Sequence, residues 1–182
     1  MKSIRIVGIG GSLAVKSSSL EALEEALRAA RGAGAEARAF DIRSLALPMY
    51  DPGLDAPPAV RELAQAVEEA DGLVWSTPLY HGSISGSFKN ALDWLETLSG
   101  GEKPYLSDKP VGLISTAGGT HGLQAINAME NIVRALRGWT VPLVVPVPQA
   151  WKGIDPKSAE QLARLGQEIV RSARAFRGSV LG

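Results

Sequence analysis

Five short apolar runs recur along this chain, and each is followed by a stretch with apolar residues every three to four positions. That alternation restricts the fold more than any other feature. The runs cover 3–9, 36–42, 72–77, 110–116 and 141–147. All but the second are apolar almost throughout, as parallel strands covered on both faces are. The second alternates, with Ala37 and Ala39 against Arg38 and Phe40, which suits a partly exposed position. Between the runs, Leu20, Leu23, Leu27 and Ala30 share one helical face, opposite Glu21, Glu24, Glu25, Arg28 and Arg31. Val60, Leu63, Val67 and Ala70 repeat the stripe after Pro57-Pro58. Leu123, Ile126, Met129 or Ile132, Val133 and Leu136 form another, and Ala159, Leu162, Leu165, Ile169, Ala173 and Phe176 the last. This last helix opens with Asp155-Pro156, a side-chain cap followed by proline at the first helical position. Strict βα alternation with short links gives a parallel sheet with helices on both faces and right-handed crossovers.

The expectation is therefore an α/β three-layer sandwich around a five-stranded parallel sheet of order 2-1-3-4-5, the flavodoxin-like arrangement. Its ligands sit at the carboxyl ends of the strands. The length of 182 residues suits one domain spanning 1–182. Equal numbers of basic and acidic residues argue against nucleic acid as a partner, because neutralising several phosphates needs a basic face. The absence of cysteine excludes disulfides, thiolate metal sites and cysteine nucleophiles. His81 and His121 are the only imidazoles, so no metal site is expected. No apolar run reaches the ~18 residues that span a bilayer. The start reads as a strand and lacks a secretory signal's apolar core, so a cytoplasmic protein is expected.

Three loops at strand carboxyl ends stand out. The first, 10–19, holds Gly10, Gly11, Ser12, Ser17, Ser18 and Ser19 at the start of a helix. The unpaired amides and dipole of a helix start attract an anion, here a phosphate. The plainer alternative is that Ser17 or Ser18 merely caps the helix. The second loop, Pro78-Leu79-Tyr80-His81-Gly82-Ser83, offers a rigid turn, an aromatic ring and a glycine. It suits a planar heterocycle, or is an ordinary turn with Tyr80 packed on the sheet. In the third, 115–122, three glycines lead into a helix, allowing close ligand approach or simply a positive φ.

Two nucleotide motifs nearly match. A P-loop would need glycine where Val15 stands, and a dinucleotide fingerprint would need it at Leu13. A hydrolase nucleophile elbow fails because Ile84 stands at the centre of the Gly82–Gly86 pattern.

Together these residues resemble the NADPH-dependent FMN reductase family of the flavodoxin-like superfamily. The likeness rests on Gly11-Ser12-Leu13 with Ser17-Ser18-Ser19, and on 78–83 running into Gly86-Ser87-Phe88-Lys89-Asn90-Ala91-Leu92-Asp93-Trp94. Ser115-Thr116-Ala117-Gly118-Gly119 completes it. The resemblance implies that Ser12, Ser17, Ser18 and Ser19 bind the phosphate of flavin mononucleotide (FMN). It implies that Pro78, Leu79, Tyr80, His81, Gly82 and Ser83 border the flavin ring, with Ser115, Gly118 and Gly119 at its other edge. It further implies hydride transfer from NADPH or NADH to FMN and onward to flavin, quinone or another small acceptor, with no catalytic acid or base. The competing expectation is a flavodoxin-type electron carrier without nicotinamide turnover. Two positions depart from the family pattern: Ala14, where arginine is common, and His81, where asparagine is. The helix after the second loop has two apolar faces: Phe88, Leu92 and Leu95, and Ala91, Trp94 and Leu98. One should meet the sheet. The other is more core or a subunit interface, and the resemblance implies an interface in a homodimer or homotetramer.

Overall fold

The computed structural model describes residues 3–179, so residues 1–2 and 180–182 of the expected domain lie outside the described residues. The elements run β1 (Ile4–Gly10), α1 (Ser18–Gly32), β2 (Ala35–Asp41), a one-turn α2 (Ile42–Leu45), α3 (Pro58–Glu69), β3 (Gly72–Tyr80) and β4 (Ser83–Ile84). They continue with α4 (Gly86–Asp93), a 3-10 turn (Trp94–Leu98), β5 (Pro110–Thr116), α5 (Leu123–Ala135), β6 (Trp139–Val147), a second 3-10 turn (Ala150–Lys152) and α6 (Pro156–Ser179).

The sheet corrects the expected strand count and order. It has six strands, with β2-β1-β3-β5-β6 along the main path and β4 paired to β3 alone. The five long strands are mutually parallel, while β4 is antiparallel. The physical reason lies beyond Thr77, where the expected third strand ends. β3 runs on to Tyr80 and folds back through a two-residue hairpin, so that Tyr80 pairs with Ser83 and Leu79 with Ile84. His81 and Gly82 between them have φ of 48° and 80°. Positive φ at both central residues is what a type I′ hairpin requires.

Two buried clusters cover the faces of the sheet and make three layers. On one face α1 and α6 pack through Leu23, Ala26, Leu27, Leu162, Leu165 and Ile169. A Cβ on Gly166 would lie 2.1 Å from the Ala26 carbonyl oxygen, so these helices meet where only glycine fits. On the other face α3, α4, the 3-10 turn after it and α5 bury Leu63, Val67, Phe88, Leu95, Ile126 and Met129. Trp75 of β3 lies under Phe88 with ring centroids 6.0 Å apart. The cap expected for the last helix is present: Asp155 accepts from the amides of Lys157 and Ser158 at 3.0 and 3.1 Å.

The second apolar face of α4 is core in this chain. Trp94 is fully buried, and the 46–57 loop covers it. Trp94 Nε1 and Asn90 Nδ2 both donate to the Pro48 carbonyl at 2.8 Å. The Tyr50 amide donates to Asn90 Oδ1 at 2.8 Å, and the Tyr50 ring meets Trp94 edge-on at 5.2 Å. Lys89 and Asp93 pair along the exposed side of the helix at 2.5 Å.

Candidate functional site

The loop after β1 begins at a contact that admits no side chain. A Cβ on Gly10 would sit 2.5 Å from the Ser76 carbonyl oxygen, and Gly11 has a φ of +96°. The chain then passes through exposed Leu13 to Lys16 and enters α1 at Ser17. Ser17 is the N-cap: its Oγ accepts from the Leu20 amide at 3.3 Å and from the Ser12 hydroxyl at 3.2 Å. The capping alternative is thus realised, but it does not exhaust the residue. A hydroxyl has two acceptor positions and one proton. Both acceptor positions of Ser17 are filled, and its proton has no acceptor among the described residues.

The other three hydroxyls are engaged within the protein. Ser12 donates to Ser17. Ser18 Oγ donates to the Ala150 carbonyl at 3.0 Å. Ser19 Oγ shares a 2.5 Å hydrogen bond with Thr116 Oγ1 at the end of β5. The amides of Ser18 and Ser19 lie in the first turn of α1, where no carbonyl of the same helix can reach them. The Ser17 proton and these amides form a small, partly buried anion cradle at a helix N-terminus, the arrangement that accepts a phosphate.

A groove of about 200 Å³ opens from the cradle. It brings together Ser12, Ser17, Ser18 and Ser19 with Pro78, Leu79, Tyr80 and Gly118. Lys16, Thr116, Ala117, Ala150 and Trp151 also line it. Tyr80 is 53% exposed, so it is not packed on the sheet. Gly118 has open space where a Cβ would be, which leaves its backbone accessible to a flat ligand edge. His81, Gly82, Ser83, Ser115 and Gly119 are outside the lining. The first three form the hairpin tip. Buried Ser115 donates to the Gly122 carbonyl at 2.7 Å and so holds the third loop from below. The Gly119 carbonyl accepts from the Gln149 amide at 3.2 Å.

Ala150 and Trp151 are the lining residues that pattern reading missed. They belong to the loop after β6, another strand carboxyl end, and that topological position was their only signal. The larger cleft, about 770 Å³, lies at the opposite, amino-terminal end of the strands, beside Asp71, Tyr105, Lys109 and Arg177. Its basic groups are engaged within the protein. Arg177 pairs with Asp71, and Lys109 Nζ donates to the carbonyls of Glu68 and Ala70 at 2.8 and 2.6 Å, closing the end of α3. Burial pushes the Lys109 ammonium down to about 8, and burial, then Glu96 and Asp93, push the Tyr105 hydroxyl up to about 12. Size alone does not make that cleft the site, because parallel sheets gather their binding loops at the other end.

Strand order, with helices on both faces of the parallel sheet, defines a flavodoxin-like fold. The chain belongs to the NADPH-dependent FMN reductase family, whose model matches residues 4–152. It is 38% identical over 134 residues to the NADPH-dependent FMN reductase ArsH of Acidithiobacillus ferrooxidans, across 72% of this chain and 54% of that protein. It is 31% identical over 175 residues to the same-named protein of Shigella flexneri, across 92% of this chain and 68% of that one. The chain thus spans about half the length of the first relative and two thirds of the second. In fold it resembles an oxidoreductase from Corynebacterium diphtheriae, with a TM-score of 0.78 and 21% identity over 96% of this chain and 99% of that one.

Proposed function

We propose that this chain is an FMN-dependent NAD(P)H oxidoreductase, which takes a hydride from NADPH or NADH and passes electrons to flavin, quinone or another small acceptor. The carrying observation is the buried Ser17 hydroxyl, whose two acceptor positions are filled and which donates to no described residue, beside the first-turn amides of α1. A neutral, hydroxyl-based cradle of this kind suits a phosphate monoester at one end of a larger ligand. The residues present fit FMN. Ser17 and the Ser18 and Ser19 amides hold the phosphate, and Ser12 orients Ser17. Pro78, Leu79 and Tyr80 border the ring on one side and Gly118 on the other. The tip 81–83, Ser115 and Gly119 keep those two walls in place. Bound FMN supplies the hydride and electron chemistry, and the protein supplies position and electrostatics. No side chain of the groove is assigned proton transfer.

The names of the relatives favour NADPH as donor and a reductase over an electron carrier. The net charge of zero favours the same choice, since carriers of this fold are usually strongly acidic. Among the described residues no helix is long and apolar enough to cross a membrane. A cytoplasmic setting, one domain over 1–182 and a homodimer or homotetramer complete the proposal. The test is a titration of the purified protein with FMN and with riboflavin, followed by anaerobic mixing with each nicotinamide. FMN should bind at least tenfold more tightly than riboflavin, and NADPH should bleach the bound flavin. Equal affinity for the two flavins refutes the cradle. Flavin that stays oxidised with both donors leaves the electron carrier.

A further inference from the structure

Backbone amides hold an anion only where the helix start itself is held, and the start of α1 is anchored at three points. From β3, the Ser76 hydroxyl donates to the Ser19 carbonyl at 2.7 Å. At the end of β5, Thr116 Oγ1 shares the 2.5 Å bond with Ser19 Oγ. From the turn after β6, the Ala150 carbonyl accepts the Ser18 hydroxyl at 3.0 Å, while the Ala150 amide donates to the Ala117 carbonyl at 3.0 Å. Ser76 differs from the other two anchors. Its one proton goes to the Ser19 carbonyl, it is fully buried, and it is not among the residues lining the groove. Ser19 and Thr116 hold two protons and share one bond, so that pair keeps a proton for a ligand. An effect of the Ser76 hydroxyl on a ligand must instead pass through α1. The hydroxyl is also more than the fold requires. Leu73, Val74 and Trp75 before it are apolar and fully buried, and Ser76 breaks that run beside the start of α1. Burying a hydroxyl costs free energy unless it finds a partner. Forming α1 does not depend on this one, because Ser17 caps the helix and Leu23 and Leu27 bury its inner face.

We infer that Ser76 is a positioning residue for the cofactor's phosphate: its hydroxyl fixes the Ser19 carbonyl and so aims the Ser18 and Ser19 amides at the anion. This rests on the proposed flavin reductase reading. A binding group works only when its supporting shell holds it within about 0.5 Å of the productive place. The Ser19 amide lies on the same residue as the carbonyl that Ser76 holds, and the Ser18 amide lies one residue before it. Removing the hydroxyl frees that turn to shift against β3 while Leu23 and Leu27 stay packed. Such a shift weakens bonds to phosphate oxygens, and riboflavin has no phosphate to lose.

The test titrates FMN and riboflavin into Ser76→Ala, with Asn90→Ala as the comparison that loosens the fold away from the groove. Ser76→Ala should lower FMN affinity about fivefold, within the range of one ordinary hydrogen bond, and riboflavin affinity less than twofold. Ser76→Cys keeps the volume and a weak donor, so it should fall between the wild type and Ser76→Ala. Asn90→Ala should leave both affinities unchanged although its stability drops. Circular dichroism secures the fold of each variant, and should Ser76→Ala not fold, Ser76→Cys decides in the same way. Unaltered FMN binding in the folded variant overturns the inference. So does an equal loss for both flavins, since the hydroxyl would then shape the ring wall. The same split between flavins in Asn90→Ala also overturns it, since any loosening would then produce the effect. A wild-type protein that takes up no FMN at all refutes the reductase reading itself, which is a different failure.

Discussion

Removing the side chain of Asn90 tests how the second face of α4 is covered. Asn90 is 7% exposed and makes two 2.8 Å bonds, accepting from the Tyr50 amide and donating to the Pro48 carbonyl. Asn90→Ala strands the Tyr50 amide, which costs about 1–3 kcal/mol. The Pro48 carbonyl keeps its bond from Trp94 Nε1, so losing the second donor costs about 0.5–1.5 kcal/mol. The total should be about 1.5–4.5 kcal/mol, a large share of a domain's net stability. Urea denaturation should show the midpoint falling with an unchanged slope. Hydrogen exchange should quicken through 46–57. Combining the change with Trp94→Phe should be non-additive by at least ~0.5 kcal/mol, because the two donors share one acceptor. FMN affinity should not move, since Asn90 is no part of the groove. A destabilisation below ~0.5 kcal/mol, or weaker FMN binding at full stability, would refute the assignment of this face to the core.

Ser17→Ala should lower FMN affinity about tenfold, the worth of one hydrogen bond to a charged group, while riboflavin binding stays level. Lost capping should cost about 1 kcal/mol in urea; parallel losses for both flavins would move the phosphate elsewhere. His81→Asn should raise the urea midpoint slightly and His81→Val lower it, because asparagine tolerates positive φ and a β-branched residue does not; the reverse order would contradict the hairpin geometry. Lys109 carries a pH signature. Its folded value of about 8 lies below the ordinary 10.5, so between these the unfolded chain holds a proton that the folded chain has released. Its contribution to stability therefore rises with pH across that window. Lys109→Met should remove the rise, as read by urea midpoints from pH 7 to 10, and an unaltered pH profile would show the ammonium to be solvated.

Much of the fold was legible from period alone, because apolar spacing is set by the geometry of single elements. The stripe from Leu23 to Ala30, the proline start of α3 and the Asp155 cap all lie where local chemistry puts them. The hairpin that adds β4 was not legible, since His81-Gly82 is not one of the Asn-Gly, Asp-Gly or Gly-Gly pairs that mark a type I′ turn. The asparagine common at that position in the family is the residue such a turn favours. The fate of α4 was equally hidden. The segment from Phe88 to Leu98 shows two apolar faces, and only the path of the 46–57 loop decides that Trp94 is covered within the chain.

The amino-acid order by itself determined a parallel α/β sheet and the loops that would crowd its carboxyl edge, because both follow from local periodicity and chain reversal. Which hydroxyls stay available was decided by tertiary structure alone. Ser18 meets Ala150 and Ser19 meets Thr116 across 132 and 97 residues of chain, and no local rule foresees partners that distant. The same packing lifts Trp151 to the rim beside the cradle. A hydrogen-bond donor is free or spent according to its neighbours in space, and those neighbours exist only once the layers have closed.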